Sequence, residues 1–377
     1  MPSTSLISIE IRRLLLGKQG WWSLLLWFVL ALPAQAAVEL KVAIKKNVNH
    51  VKIGSSTTAI IKNASGQQVG KIAALDSFSV RPERGALSLE KWRSGEFTIE
   101  PTGEGRVWIG DRWYRGKTRL VRHGAGVTAV NHVDLEEYLY SVVGAEAIPS
   151  WPEEALKAQA VAARTYALRK RSESKSALFD LDTTTKTQVY RGLDSEYTST
   201  LDAVKETEGE VITHNGEIIL AVFHSSSGGH TENVEDIWSS PLPYLRGVID
   251  YDQEAPVFQW SKSFSAAQMS RLIGGVGQVQ ALVPVKVTPR GRVVTMKIVG
   301  DRGTKQISGS KLRQILELRS TLFRVNEANG SFQIQGRGFG HGIGMSQWGA
   351  HFLSSQGRDY QQILSHYYQN VALAKME

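Results

Sequence analysis

Glu146 is the residue whose placement says most about chemistry. Leu135, Tyr138, Leu139, Val142 and Val143 recur at the i, i+3, i+4, i+7, i+8 spacing of an amphipathic helix, and the next place on that stripe is Glu146. A carboxyl on an apolar face loses solvation. Near a helix C-terminus it also meets the negative end of the helix dipole. Both effects disfavour the anion and raise the pKa, which suits a general acid working near neutrality. The same spacing also fits a glutamate at a fraying helix end that points to water. Arg164 lies among alanines in the next segment. Its planar fork could hold a carboxylate or a substrate oxygen, or it is a surface arginine.

Two further segments carry chemistry-bearing residues. His224-Ser225-Ser226-Ser227-Gly228-Gly229-His230 follows the apolar run IILAVF. Small hydroxyl residues and paired glycines after a strand suggest a loop that approaches a ligand closely, or simply a tight turn. G-x-S-x-G is absent, which speaks against a serine hydrolase. H-E-x-x-H is absent too, and a six-residue histidine spacing does not define a zinc site, even with His341 added. In GRGFGHGIGMSQWGA (336–350) the glycines alternate from Gly336 to Gly344. An extended strand would put all five on one bare face, open to a sugar ring or to a packed helix. Trp151, Tyr190, Trp238 and Trp348 lie near these motifs. Each could stack on a sugar or fill the core.

The elements that must position these residues read as an α+β chain. Residues 38–130 are β-rich, with short β-branched runs separated by Gly, Ser and Asn turns. Asp134 and Glu137 have capping-box spacing and open the first helix. After a break at Ile148-Pro149-Ser150, a second helix starts near Pro152 and runs to about Lys170; its six alanines between 155 and 167 let neighbours approach closely. Short strands and glycine turns are expected over 180–260, and a small α+β insertion over 261–325 with a strand pair and a helix around 309–318. A glycine-studded strand and turn follows over 331–350, then a last helix at about 359–369. The expected architecture is therefore a β-rich N-terminal part (38–130), a core with a helical pair carrying Glu146 (131–260), the insertion (261–325), and the rest of the core (326–377) in a mixed sheet.

Composition sets bounds. The 377 residues are 42% hydrophobic and 21% charged, enough apolar side chain for a sizeable core. Cysteine is absent, which excludes disulfides, thiolate metal ligands and a cysteine nucleophile. The net charge is +8, without a block of like charges. That dispersed excess favours polyanions, but basic and aromatic residues do not interleave along one element, so no nucleic-acid partner is expected. Arg12, Arg13 and Lys18, then the 13 uncharged residues Gly20 to Leu32, then Ala34-Gln35-Ala36, read as a secretory signal cleaved after Ala36, or as an uncleaved anchor. Either way residues 38–377 are expected outside the cytoplasm, in the envelope or the wall, with membrane contact only through that segment.

Four segments together resemble the SpoIID/LytB family: VDLEEYLYSVVGAEAIPSWPEEALKAQAVAARTYAL (133–168), TTTKTQVYRG (183–192), FHSSSGGHTENVEDIW (223–238) and GRGFGHGIGMSQWGA (336–350). They cover most of residues 120–370 in the family's order. The resemblance implies a lytic transglycosylase that cuts between MurNAc and GlcNAc in peptidoglycan, acts on peptide-stripped strands and leaves 1,6-anhydro ends. It implies Glu146 as the catalytic acid and base. It implies Arg164, Gln188, Tyr190, His224, Ser225, Gly228, Gly229, His341 and Gln347 as substrate-handling groups. No cofactor is implied. Two departures stand out. Many members have Met between the Glu and the Pro, where this chain has Ala147-Ile148, one residue longer. Zinc-binding members carry Cys near the histidine-serine loop, where this chain has Ser227, so no metal is expected. The LytB name also implies an alternative, a non-catalytic wall-binding module that stimulates a separate amidase.

Overall fold

Burial alternates residue by residue in the N-terminal strands, for example Ala86–Leu89, Glu96–Pro101 and Val107–Ile109, as expected of strands covered on one face. The computed structural model describes residues 38–184, 187–238, 240–328 and 330–376. The expected secretory segment lies outside them. Strands from Glu39 to Asp134 form most of a seven-stranded sheet and all of a six-stranded one, and the two pack on each other through Val80, Leu87, Phe97, Ile99, Ile109 and Leu120. Strand Gly126–Asp134 is buried along nearly its whole length. It pairs with Glu39–Val48, which in turn pairs in parallel with Leu181–Asp182 and so ties the β part to the helical core.

Among the described residues the α-helices, in chain order, are α1 (Leu135–Glu146), α2 (Glu153–Glu173), α3 (Thr198–Glu206), α4 (Val234–Ile237), α5 (Ala266–Ile273), α6 (Gly309–Ile315), α7 (Gln347–Ser355) and α8 (Tyr360–Tyr367). Asp134 caps α1 by accepting from the N–H groups of Glu136 and Glu137. Glu137 does not complete the box; its carboxylate turns to Arg115 at 3.4 Å. Helix α2 is the axis of the core. Its alanines are buried, and α1, α3, α7, α8 and strand Glu210–His214 all pack on it. The small side chains make that crowding sterically feasible.

Three expectations are corrected here. The region 180–260 has the expected short strands, such as Glu210–His214 and Phe223–His224, but it also holds the helix α3, whose apolar positions are too few to be read ahead of time. Helix α7 was expected as part of a glycine-rich turn; Ser346 caps it by accepting from the N–H of Gly349 at 3.3 Å. The insertion is also larger than 261–325. Strand Ser331–Arg337 pairs with both Gln259–Ser265 and Phe323–Ala328, and its Phe332 and Ile334 join Met269, Met296, Ile298 and Leu312 in a separate core. A second three-stranded sheet (Val279–Val287, Val293–Gly300, Gly303–Ser308) completes this subdomain.

The alternating glycines do not form one extended strand. The strand ends at Arg337, and Gly338, Gly340, Gly342 and Gly344 all have φ between +67° and +124°. The chain instead folds tightly against the histidine-serine loop. Phe223–His224 pairs in parallel with Met345–Ser346, and Ser226 bridges to Phe339. A side chain on Gly344 would place its Cβ 2.1 Å from the carbonyl oxygen of Val222. Glycine is needed there for contact and for φ alike.

Candidate active site

Glu146 is the last residue of α1 and is half-buried. Leu135, Tyr138, Leu139, Val142 and Val143 are all buried, so the next step of the stripe brings the carboxyl to the edge of the same packed face. The main-chain N–H of Val189 donates to its Oε1 at 2.7 Å. Gln347, at the start of α7, donates Nε2 to the Glu146 carbonyl oxygen at 3.0 Å and to Oε1 of Gln159 at 3.2 Å. Burial pushes the Glu146 carboxyl above its ordinary value; the Val189 N–H, Gln347 and the charge of Arg191 offset this only in part. Among the described residues, no second carboxylate figures in that balance.

The histidine-serine loop reaches this point at Ser225, whose carbonyl accepts from the N–H of Trp348 at 3.0 Å. Beside it, the half-buried rings of Trp151, Trp348 and His351 pack with centroids 5.1 to 5.4 Å apart. The structure thus brings Glu146, Gln347 and Ser225 together, next to an aromatic cluster.

Arg164 is placed elsewhere. It is fully buried, and its fork is bidentate on Glu136, Nε to Oε1 at 2.7 Å and Nη2 to Oε2 at 2.6 Å. Nη1 and Nη2 also donate to the carbonyls of Glu210 and Val204. The expected sugar contact is therefore corrected: this guanidinium clamps α2 to α1, and burial has taken it out of solvent. Tyr190 is likewise a core residue, packed between Tyr114 and Tyr138 with its hydroxyl donating to Oδ1 of Asn131 at 2.8 Å. Gln188 is fully buried. It accepts from the Tyr138 hydroxyl at 3.1 Å and donates to the Ala163 carbonyl at 3.1 Å. Its contribution is to hold the adjacent Val189 N–H on Glu146.

Gly228 and Gly229 have no free N–H for a ligand. Both donate to Asp252, at 2.8 and 2.9 Å, and Ser226 donates to the same carboxylate at 2.5 Å. Ser227 donates to Asp250 at 2.6 Å, as does Tyr367. Burial and the neighbouring Asp252 raise the Asp250 pKa. Arg292, 1% exposed, donates Nη2 to the Ser227 carbonyl and faces the equally buried Glu232 at 3.6 Å. Asp250, Asp252, Glu232 and Arg292 were not foreseen. Asp250-Tyr251-Asp252 was the readable signal, two acids flanking an aromatic in a region without strong periodicity.

His224 and His341 form a second group, with rings 5.1 Å apart. Nδ1 of His224 donates to the Ile343 carbonyl at 3.1 Å, and its Nε2 is buried without a hydrogen-bond partner. Nδ1 of His341 accepts from the Ile343 N–H at 3.1 Å. Burial pushes both rings down, His341 to about 4, and the nearby Arg292 and Arg313 reinforce this. Both are neutral at pH 7. Trp238 stands against His341, with centroids 5.6 Å apart.

The residues present do not fit a zinc ion. The Ser227 hydroxyl is committed to Asp250, and among the described residues no group of three or more His, Asp or Glu is arranged around a common point.

Comparison with known proteins adds an independent line. A family model described as stage II sporulation protein matches residues 123–214, and a domain of unknown function matches 243–344. The first match takes in both Glu146 and the Arg164–Glu136 clamp; the second takes in the insertion and most of the glycine segment. The stage II sporulation protein D of Bacillus amyloliquefaciens is 35% identical over 272 residues, 66% of this chain and 76% of the relative. That of Bacillus subtilis is 33% identical over 274 residues, 66% and 77%. The amidase enhancer of Bacillus subtilis is 30% identical over 290 residues, 62% of this chain and 40% of that longer protein.

Proposed function

The chain belongs to the SpoIID/LytB family, and from that premise we propose that it is a peptidoglycan lytic transglycosylase acting on peptide-stripped glycan strands on the wall side of the membrane. The observation that carries the reading is the half-buried, raised-pKa carboxyl of Glu146, with the Val189 N–H on its Oε1, Gln347 on its main-chain oxygen and no second carboxylate among the groups acting on it.

Most glycosidases use two carboxylates, one of them to activate water or to attack the sugar. A lytic transglycosylase needs one, because the MurNAc C6 hydroxyl is an internal nucleophile. Glu146, protonated, gives its proton to the bridging oxygen as the C1–O4 bond breaks. The C6 oxygen closes on C1, and the Glu146 carboxylate takes the C6 proton. Water is neither consumed nor released, and the acid is regenerated. The Val189 N–H stabilises the transient carboxylate, and ring closure gains from an already tethered nucleophile. Half-buried Trp151 and Trp348 supply apolar faces for a sugar ring near the acid.

The second reading is a non-catalytic enhancer of an amidase, favoured by the similarity to the Bacillus subtilis amidase enhancer. Glu146→Gln separates the two. The protein is incubated with amidase-treated sacculi and the products are read by mass. Wild type is expected to release 1,6-anhydro ends, and the variant to lose at least about 100-fold of that rate, as for removal of a general acid. Equal release by the variant would overturn the catalytic reading.

A further inference from the structure

A cavity of about 750 Å³ lies on the inserted subdomain rather than at Glu146. Its floor is the outer face of the three-stranded sheet Gln259–Ser265, Ser331–Arg337, Phe323–Ala328. In the register, Gln259 opposes Arg337, and Ser261 opposes Gln335, which opposes Arg324. Opposed residues point the same way, and residues two apart share a face. Gln259, Ser261, Arg324, Gln335 and Arg337 thus stand on one face, all exposed, while Trp260 and Phe323 flank Gly336 on the other. Arg290, from the turn between Val279–Val287 and Val293–Gly300, closes the side of the cavity.

The charge here is unbalanced. No acidic residue lines this cavity, and among the described residues neither Arg324 nor Arg337 is in an ion pair. Arg290 contacts the His230 ring, not a carboxylate. Arg290, Leu322 and Arg337 also line a second cavity of about 420 Å³ that reaches Gly228, Gly229 and His230. Its one acid, Glu232, accepts from Thr288 at Oε1 and faces Arg292 at 3.6 Å, while its Oε2 is buried without a hydrogen-bond partner. Because the two cavities share Arg290, Leu322 and Arg337, they adjoin, and together they lead from the sheet face to the histidine-serine loop, whose Ser225 carbonyl accepts from Trp348, the neighbour of Gln347.

We propose that this track is a glycan-binding groove whose arginines take the free lactyl carboxylates of peptide-stripped MurNAc. The inference rests on the lytic reading above and deepens it. An amidase cut converts each lactyl amide into a carboxylate, which an arginine fork binds with charge-assisted hydrogen bonds. Gln259, Ser261 and Gln335 supply neutral donors and acceptors for hydroxyl and acetamido groups. The groove thereby makes removal of the peptide a condition for strong binding.

The test uses the full chain carrying Glu146→Gln, so that binding is read without turnover. Titration calorimetry compares amidase-stripped strands with the same strands after carbodiimide conversion of their carboxylates to amides. The amidated strands are expected to bind about tenfold more weakly. Adding Arg324→Gln and Arg337→Gln is expected to cost a similar factor on stripped strands and nothing on amidated ones. Unchanged affinity in that variant, equal affinity for the two strands, or polyphosphate binding as tightly as stripped strands overturns the groove. The first comparison needs no groove variant, so a misfolded one cannot obscure it. If the groove behaves as expected but wild type releases no anhydro ends, the lytic reading fails and the groove stands.

Discussion

Gln347 donates its side-chain amide to the main-chain oxygen of Glu146, 201 residues earlier, at 3.0 Å. Through this contact the start of α7 sets the end of α1. It also gives Gln347 a measurable effect on the acid, because Gln347 is one of the groups that hold the raised Glu146 pKa in check. Gln347→Leu removes that check. The alkaline limb of the pH–rate profile should move to higher pH, while the maximal rate falls about tenfold as the carboxyl loses its alignment. A merely structural role for Gln347 would lower the rate and leave the limb where it was.

Burial of Glu146 has a stability consequence. Its folded pKa lies above the unfolded value, so the unfolded chain gives up this proton more readily. The contribution to stability is fully present below the unfolded pKa and is lost as pH rises through the folded pKa. Glu146→Gln removes the ionisation. Its melting temperature should equal or exceed that of wild type at pH 8, with the gain shrinking towards pH 4. Melting curves of both proteins across this range check it, and a gain that grows as pH falls would contradict the assigned sign.

Arg164 and Glu136 form a bidentate pair with the guanidinium wholly out of water. Removing one partner leaves a buried charge unpaired, at a cost of about 3–5 kcal/mol. Arg164→Ala should therefore unfold at markedly lower temperature. Arg164→Lys should recover only part of the loss, since an ammonium cannot span both oxygens and the carbonyls of Val204 and Glu210. Any activity remaining in the folded fraction should keep a normal KM, because this side chain is remote from solvent. A raised KM in a well-folded variant would restore it to the substrate site.

Legibility in the sequence followed periodicity. The α1 stripe, with Glu146 as its last step, and the alanine-rich α2 were readable because one face of a helix repeats every three to four residues. Helix α3 was not, because its apolar positions are too few, and the strand near 331 was readable but not its place in the insertion, because its partner Gln259–Ser265 lies far away in sequence. At the site, the resemblance named Glu146 and Gln347 in separate roles, and the structure sets the Gln347 amide on the Glu146 main chain. Residue type could not tell that Gly228 and Gly229 are occupied by Asp252, or that Arg164 faces Glu136. Both depend on which chain segment folds back, and Asp252 comes from a stretch with no pattern of its own.

Gly344 has φ +67°, and a Cβ there would press on the Val222 carbonyl beside the Phe223–His224 pairing. Gly357 has φ +83° but open space around it. The pair separates conformational cost from steric cost. Gly357→Ala should lose about 1 kcal/mol, the penalty for left-handed backbone. Gly344→Ala should lose at least about 3 kcal/mol, since backbone atoms must move as well. Equal losses by denaturant titration would mean that the tight approach at Gly344 does not matter.

His224 and His341 set an acid limit on the same region. Both rings are neutral in the folded protein, with folded pKa values below the unfolded 6.5. Stability from this source is fully present above pH 6.5 and is lost as pH falls towards the folded value, about 4 for His341. Each unit of that depression is worth about 1.4 kcal/mol, so His341 alone accounts for a loss on the order of 3 kcal/mol. Protonation would set a cation against Arg292 and Arg313. His341→Asn retains an acceptor for the Ile343 N–H and cannot charge. Between pH 7 and pH 4.5 its unfolding free energy should fall less steeply than that of wild type; parallel slopes would show that the imidazole takes up its proton without strain.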